Sequence, residues 1–124
     1  MSPNASRPLE AAELEELGAA LAALESELRA TLEGSAAAAK PVALDQAAVG
    51  RVSRVDAIQQ QKMVAAGRAA QRARLERVRA ALHRLEAGDY GDCAACGEPV
   101  GFARLQARPE APLCVSCQEA RERP

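Results

Sequence analysis

Large rings are almost missing from this chain of 124 residues, which has no Trp, one Tyr and one Phe. A wide mixed core needs such side chains, so the composition points to long helices and a narrow interior. An excess of charge of one sign is missing as well. Lys and Arg total 16 against 17 Asp and Glu, a formal net charge of −1. General nucleic-acid binders usually carry a strong basic excess, so direct DNA binding is not expected. No stretch approaches the roughly 18 apolar residues needed to cross a membrane. Met1 to Pro8 carries neither an apolar run nor a basic leader. These absences lead to the expectation of a cytoplasmic protein with no membrane partner. Histidine is close to absent too: His83 is the single one.

The residues present are dominated by Ala, Leu, Arg and Glu. Residues 1–8 read as a disordered N-terminus, with Pro8 suited to the first turn of a helix. Leu14, Leu17, Leu21, Leu24 and Leu28 then recur at alternating spacings of three and four, a heptad seam. The helix predicted on this seam runs from Leu9 to Glu33. The stretch GSAAAAKPVAL after it contains Pro41, which bars a continuous helix and marks a tip loop near 34–45. A second helix is predicted from about Asp45 to Ala87, with Gly88 as its C-terminal cap. Val52, Val55, Ile58, Met63, Ala66, Ala70 and Ala73 mark its first apolar face, and Leu75, Val78, Leu82 and Leu85 a shifted one. Leu9 to Glu33 holds seven Glu and one Arg, while Gln46 to Ala87 holds nine Lys or Arg and three acids. An acidic helix beside a basic one favours an antiparallel hairpin within one chain, and hence a monomer, over self-pairing of identical helices. The second helix is the longer, and its overhang, Gln71 to Ala87, is expected to carry the shifted face onto the segment C-terminal to it.

That segment is a cysteine module, Cys93-Ala-Ala-Cys96, then seventeen residues, then Cys114-Val-Ser-Cys117. Two residues between paired cysteines let both sulfurs reach one tetrahedral ion, and Gly97 permits the tight turn after the first pair. The spacing matches a four-cysteine zinc pattern. A disulfide framework and a thioredoxin-like redox pair are weaker competitors, because the context is cytosolic and no strand–helix–strand pattern surrounds either pair. Four thiolates leave the metal no open position, so one structural zinc is expected on Cys93, Cys96, Cys114 and Cys117, and His83 is not needed as a ligand. Arg104, Arg108 and Arg121 are placed to offset the negative charge of the site. One His and metal-bound cysteines cannot supply a nucleophile, a base and an orienting group together, so an enzyme is not expected.

The run Gly88-Asp-Tyr90-Gly91-Asp-Cys93-Ala-Ala-Cys96-Gly97-Glu98-Pro-Val, then Ala103-Arg104-Leu105, Pro109 and Cys114-Val-Ser-Cys117-Gln, resembles the zinc finger of the DksA/TraR family. With the long helix before it, the resemblance covers about two thirds of the chain. It implies a mainly α fold: an antiparallel helical hairpin over 9–87 forming a coiled-coil arm, a small C-terminal zinc finger over 88–120, and a tail over 121–124. It also implies a bacterial transcription regulator that binds RNA polymerase through its secondary channel, without binding DNA, and modulates initiation, with guanosine tetraphosphate at the complex. The family's tip motif, Asp-x-x-Asp-x-Ala, corresponds here to Val42-Ala-Leu-Asp45-Gln-Ala47, so Asp45 and Ala47 match and Val42 replaces the first Asp. With little sequence before the first helix, the chain looks like a reduced or divergent member. Asp45 reads equally as a helix N-cap. Arg51, Arg54 and Lys62 read more readily as a solvated face than as partner contacts. The alternative to a polymerase regulator is a zinc-stabilised helical adaptor for another protein; DNA binding by the Arg-rich helix is weaker, because the acidic helix would neutralise it.

Overall fold

The computed structural model describes residues 7–35 and 51–124, with side chains of the second helix described from Arg54 onward. Among the described residues four helices occur in order: α1, Ala11–Gly34; α2, Arg51–Ala87; α3, Phe102–Ala107; and α4, Val115–Glu122. No helix among the described residues is long and apolar enough to cross a membrane.

Both long helices end where their local chemistry dictates. Glu10 is the N-cap of α1, and the Glu13 carboxylate accepts the Glu10 backbone N–H at 2.9 Å, one half of a capping box. Arg7 donates to both oxygens of Glu13, at 2.7 and 2.6 Å. That guanidinium, with the Glu10 N–H, holds the Glu13 carboxyl down at about 2. Pro8 lies two residues before the cap rather than inside the first turn. This leaves Leu9 free to turn toward the zinc module, where a Cβ on Gly91 would meet Leu9 Cδ1 at 2.8 Å. At the other end, Gly88 takes φ +82°, with Gly88 N–H on Leu85 O at 3.3 Å and Asp89 N–H on Arg84 O at 2.8 Å. This is a Schellman cap, and a left-handed residue is what it needs from glycine.

The two long helices pack antiparallel. Gly18 lies against Leu85, Glu25 pairs with Arg79 at 3.4 Å, and Leu32 and Ser35 meet Arg68. Residue numbers facing each other thus sum to between 100 and 104 along the contact. Leu17, Leu21 and Leu28 fill the seam from one side, and Leu75, Val78 and Ala81 from the other. The close approach at Gly18, where a Cβ would stand 2.9 Å from Leu85 Cδ2, keeps the helices tight near their base.

This register reverses the expected overhang. Gln71 to Ala87 lies beside α1, and its shifted apolar face is the seam itself. The part of α2 that outruns α1 is the opposite, N-terminal part. There Val55, Ile58 and Met63 are 51%, 40% and 73% exposed, so the first apolar face assigned to this helix is not a core face among the described residues. Residues 36–50, with most of the predicted tip loop near 34–45, lie outside the described residues.

The chain then folds back as a compact module alongside the base of the hairpin. Tyr90 is buried and donates its hydroxyl to Pro109 O at 2.8 Å; burial pushes its phenol up to about 12. Leu105 of α3 is fully buried, and Val100 and Leu113 join it in a core continuous with the hairpin seam. Two polar contacts tie the module to different helices: Gln106 Nε2 to Glu16 of α1 at 3.4 Å, and Arg74 of α2 to Glu110 at 2.9 Å.

Two substitutions separate seam from surface. Leu21→Ala, at a fully buried seam position, should cost about 2–5 kcal/mol, and Leu21→Asp more, with loss of helicity. Gly67→Ala, where the added Cβ meets nothing within 4 Å, should instead stabilise by about 0.5–1 kcal/mol. Thermal melts followed by circular dichroism check both directions.

Candidate metal centre and an arginine cleft

Each cysteine pair is presented by a different local structure. The first sits in a knuckle. Cys93 N–H donates to Glu98 O at 2.8 Å, Gly97 N–H returns to Cys93 O at 2.9 Å, and Gly97 takes φ +78° to close the turn. The second pair opens α4, with Cys114 as N-cap and Cys117 in the first turn. A helix N-terminus favours thiolates, because its free N–H groups and dipole face negative charge. Ala94 N–H on Pro112 O, at 2.8 Å, fastens one knuckle to the strand of chain entering the other.

The result is one cluster. The four Sγ atoms all lie within 4.8 Å of one another, with Cys96 and Cys114 3.9 Å apart. A tetrahedron of sulfurs about 2.3 Å from a zinc ion has edges of about 3.8 Å, so the spacing fits the metal. It does not fit a disulfide, whose bond is about 2.05 Å. Cys93 and Cys114 are buried, Cys117 is half-buried and Cys96 is exposed.

The thiols themselves act as a coupled set. Burial would raise Cys93, but the backbone N–H groups of Cys114, Cys96 and Ala95 outweigh it and bring that thiol down to about 6. Cys117 is pushed up to about 12 by the side chains of Cys114 and Cys93 and by burial. Cys96 is raised as well: the Glu98 backbone lowers it, but burial and the neighbouring thiols prevail. One thiolate makes the next harder to form, and a divalent cation relieves that conflict. Cys93, Cys96, Cys114 and Cys117 would together hold a zinc ion with no open coordination position. Such a site does structural work and offers no place for a substrate.

Beside this centre lies a polar cleft of about 380 Å³ lined by Arg77, Arg104, Arg108, Arg121, Gln118 and Glu110, among others. Its arginines come from α2, α3, the segment after α3, and α4. Arg104 is fixed by a bond from Nε to Leu113 O at 2.9 Å, one residue before Cys114. The three arginines expected to offset the thiolates are therefore gathered here, and Arg77 joins them. Glu110 is 4% exposed; one carboxylate oxygen takes Arg74 and the other has no hydrogen-bond partner. Sequence reasoning did not single out Arg74, Arg77 or Glu110. The one signal it offered was an acid between Pro109 and Pro112, opposite a helix rich in arginine. His83 lines a separate small groove with Glu25, Arg79, Leu82 and Glu86, away from the cysteines. Asp45, Ala47 and Val42 lie outside the described residues.

A four-cysteine centre at the base of an antiparallel helical hairpin defines a zinc-finger protein of a recognisable kind. Residues 88–123 match the prokaryotic dksA/traR C4-type zinc finger. The finger is thus of the dksA/traR C4 type, and its four clustered cysteines fit one structural zinc. It is 49% identical over 53 residues to the RNA polymerase-binding transcription factor DksA of Caulobacter vibrioides, a match covering 43% of this chain and 37% of that protein. The protein of the same name from Haemophilus influenzae is 42% identical over 48 residues, 39% of this chain and 33% of its own length. The matches thus span little more than a third of these relatives. In three dimensions the chain is similar to transcription factor DksA2 from Pseudomonas aeruginosa, with a TM-score of 0.74 and 29% identity over 91% of this chain and 85% of that one. An RNA polymerase binding protein from Chlamydia trachomatis shares the fold, with a TM-score of 0.53 and 23% identity over 93% of each chain.

Removing the metal tests the centre directly. One zinc per chain is expected, and Cys114→Ser or chelation should unfold the module after Gly88 cooperatively, because such sites contribute about 10 kcal/mol or more to folding. Metal analysis of protein purified under reducing conditions, beside a chelator titration, checks both.

Proposed function

We propose that this chain is a non-enzymatic transcription regulator that binds RNA polymerase through the secondary channel, without binding DNA, and modulates initiation. The observation that carries this reading is the arrangement as a whole. A long α2 projects from a zinc-held base, and the chain is similar over 91% of its length to a structure called a transcription factor. The relatives matched through the finger are called RNA polymerase-binding factors. The near-zero net charge of the chain supports the absence of DNA binding. On this reading the protein works in the cytoplasm as a monomer, with Asp45 and Ala47 as its working tip. The exposed Val55, Ile58 and Met63 favour the second reading to the same extent, an adaptor whose arm meets a different protein.

Guanosine tetraphosphate, if it acts at the complex, calls for a cationic seat. The cleft of Arg77, Arg104, Arg108 and Arg121 has the chemistry for it, since guanidinium forks pair with phosphate oxygens two at a time. Arg108 is exposed and its backbone, not its side chain, holds the turn after α3. Arg108→Gln should therefore leave zinc content and nucleotide-free polymerase binding unchanged while weakening any nucleotide effect about ten-fold. In vitro transcription with and without the nucleotide reads this out.

Two experiments test the main reading. In a pull-down with core polymerase the protein should bind, and another secondary-channel factor should displace it. Tight, strongly salt-dependent binding to duplex DNA without polymerase binding would overturn the proposal. At the tip, Asp45→Asn keeps an oxygen that can cap a helix but removes the charge, so it should spare the melting temperature and reduce the effect on initiation. Asp45→Ala should lose about 1 kcal/mol of stability as well. Wild-type behaviour of Asp45→Asn in both assays would make Asp45 a cap alone and move the adaptor reading ahead.

A further inference from the structure

Helix α1 ends without the usual terminators. Its last turn contains no basic residue, and its C-cap, Ser35, is right-handed at φ −91°, ψ −1°, so no left-handed glycine closes it. The free carbonyls are served instead from the other helix. Arg68 of α2 donates Nη2 to Leu32 O at 3.2 Å and Nε to the Ser35 hydroxyl oxygen at 3.1 Å, while that hydroxyl donates to Leu32 O at 3.3 Å. Arg68 is half-buried, and among the described residues this is the outermost polar contact between α1 and α2.

We propose that Arg68 is a positioning residue that pins the end of α1 to one register on α2, and thereby sets how the arm is presented to its partner. A heptad seam by itself is permissive about register, because a shift by a repeat replaces one apolar contact with another; single polar residues in such seams select one alignment. Near Arg68 the half-buried positions of α2 are Val64, Gln71 and Arg74, and the buried apolar seam of this helix begins only at Leu75, so little apolar shape at this end prevents sliding. The guanidinium supplies what this end lacks: a planar fork that engages two acceptors at fixed geometry, which a lysine cannot reproduce. Its partners, a main-chain carbonyl and a C-cap hydroxyl, occur together only at the terminus of α1. The pin also sits at a sensitive place. Beyond it α2 continues for the residues 51–67, about 25 Å of helix. The role of Arg68 in output rests on the polymerase-arm reading; its role as a pin does not.

The test uses the full zinc-loaded chain with Arg68→Met, which keeps an unbranched apolar stem, together with Arg68→Lys and Ser35→Ala. Hydrogen exchange of the free protein should quicken about ten-fold at the amides of Glu33 to Ser35 in Arg68→Met, with little change at Leu17 to Leu21; the other two variants should fall between. In the transcription assay Arg68→Met should keep its polymerase affinity and lose most of its effect on initiation, with Arg68→Lys partly restoring it. Unchanged exchange at the end of α1 overturns the pin. Faster exchange with a full effect on initiation overturns the positioning role. So does a parallel loss of affinity and effect, which marks ordinary destabilisation. If the wild-type chain does not bind polymerase, the polymerase reading fails while the exchange data still decide whether Arg68 pins the arm.

Discussion

Four sulfurs within 4.8 Å of one another set the terms for the rest of the molecule. As thiolates they repel one another, so the C-terminal module is expected to depend on a cation for its stability. Once closed, that module reaches both long helices: α1 through Leu9 against Gly91 and Glu16 against Gln106, α2 through Arg74 and Glu110. Its core, with Leu105 and Val100, continues into the leucine seam without a break. A chain so poor in large rings cannot build a deep interior. It uses a narrow seam and closes one end of it with a metal.

Charge obeys the same economy. The acidic α1 and basic α2 face each other, yet among the described residues their cross-pairing comes down to Glu25 with Arg79, a surface pair of small energetic weight. The arginines are used elsewhere. Arg68 serves a helix end, Arg74 holds a buried carboxylate, and four others surround a cleft beside the thiolates. Glu110 is the most costly of these arrangements. A buried carboxylate with one unpartnered oxygen weakens a fold unless its pairing contributes something other than stability. Here the pairing joins the module to α2.

The metal centre was legible in the sequence because its determinants are local: two pairs at fixed spacing and a glycine after the first. The leucine seam of α1 and the glycine cap of α2 were legible for the same reason. The partner face of α2 was not. Val55, Ile58 and Met63 keep helical spacing as well as Leu75, Val78 and Leu82 do, and periodicity does not say which set is covered. That depends on where the hairpin turns, a long-range matter in a chain whose second helix is the longer. The arginine cleft was half legible. Arg104, Arg108 and Arg121 were named for their nearness to the cysteines in sequence, but Arg77 arrives from α2 only through folding. Glu110 is one acid among seventeen Asp and Glu, and its place between Pro109 and Pro112 does not by itself announce burial.

The place where the module grips α2 has a mechanical consequence. The helix is 37 residues long, about 55 Å, and is rooted at Gly88. Held only at its root, it would act as a lever, and a tilt of about 5° would carry its far end through about 5 Å. Arg74 lies fourteen residues from Gly88, so the grip on Glu110 falls about 20 Å up the shaft. A beam clamped at two separated points resists tilt far better than one hinged at its end. Slack in the metal-bearing base would then reach the far end of the arm as only a fraction of its unclamped sweep.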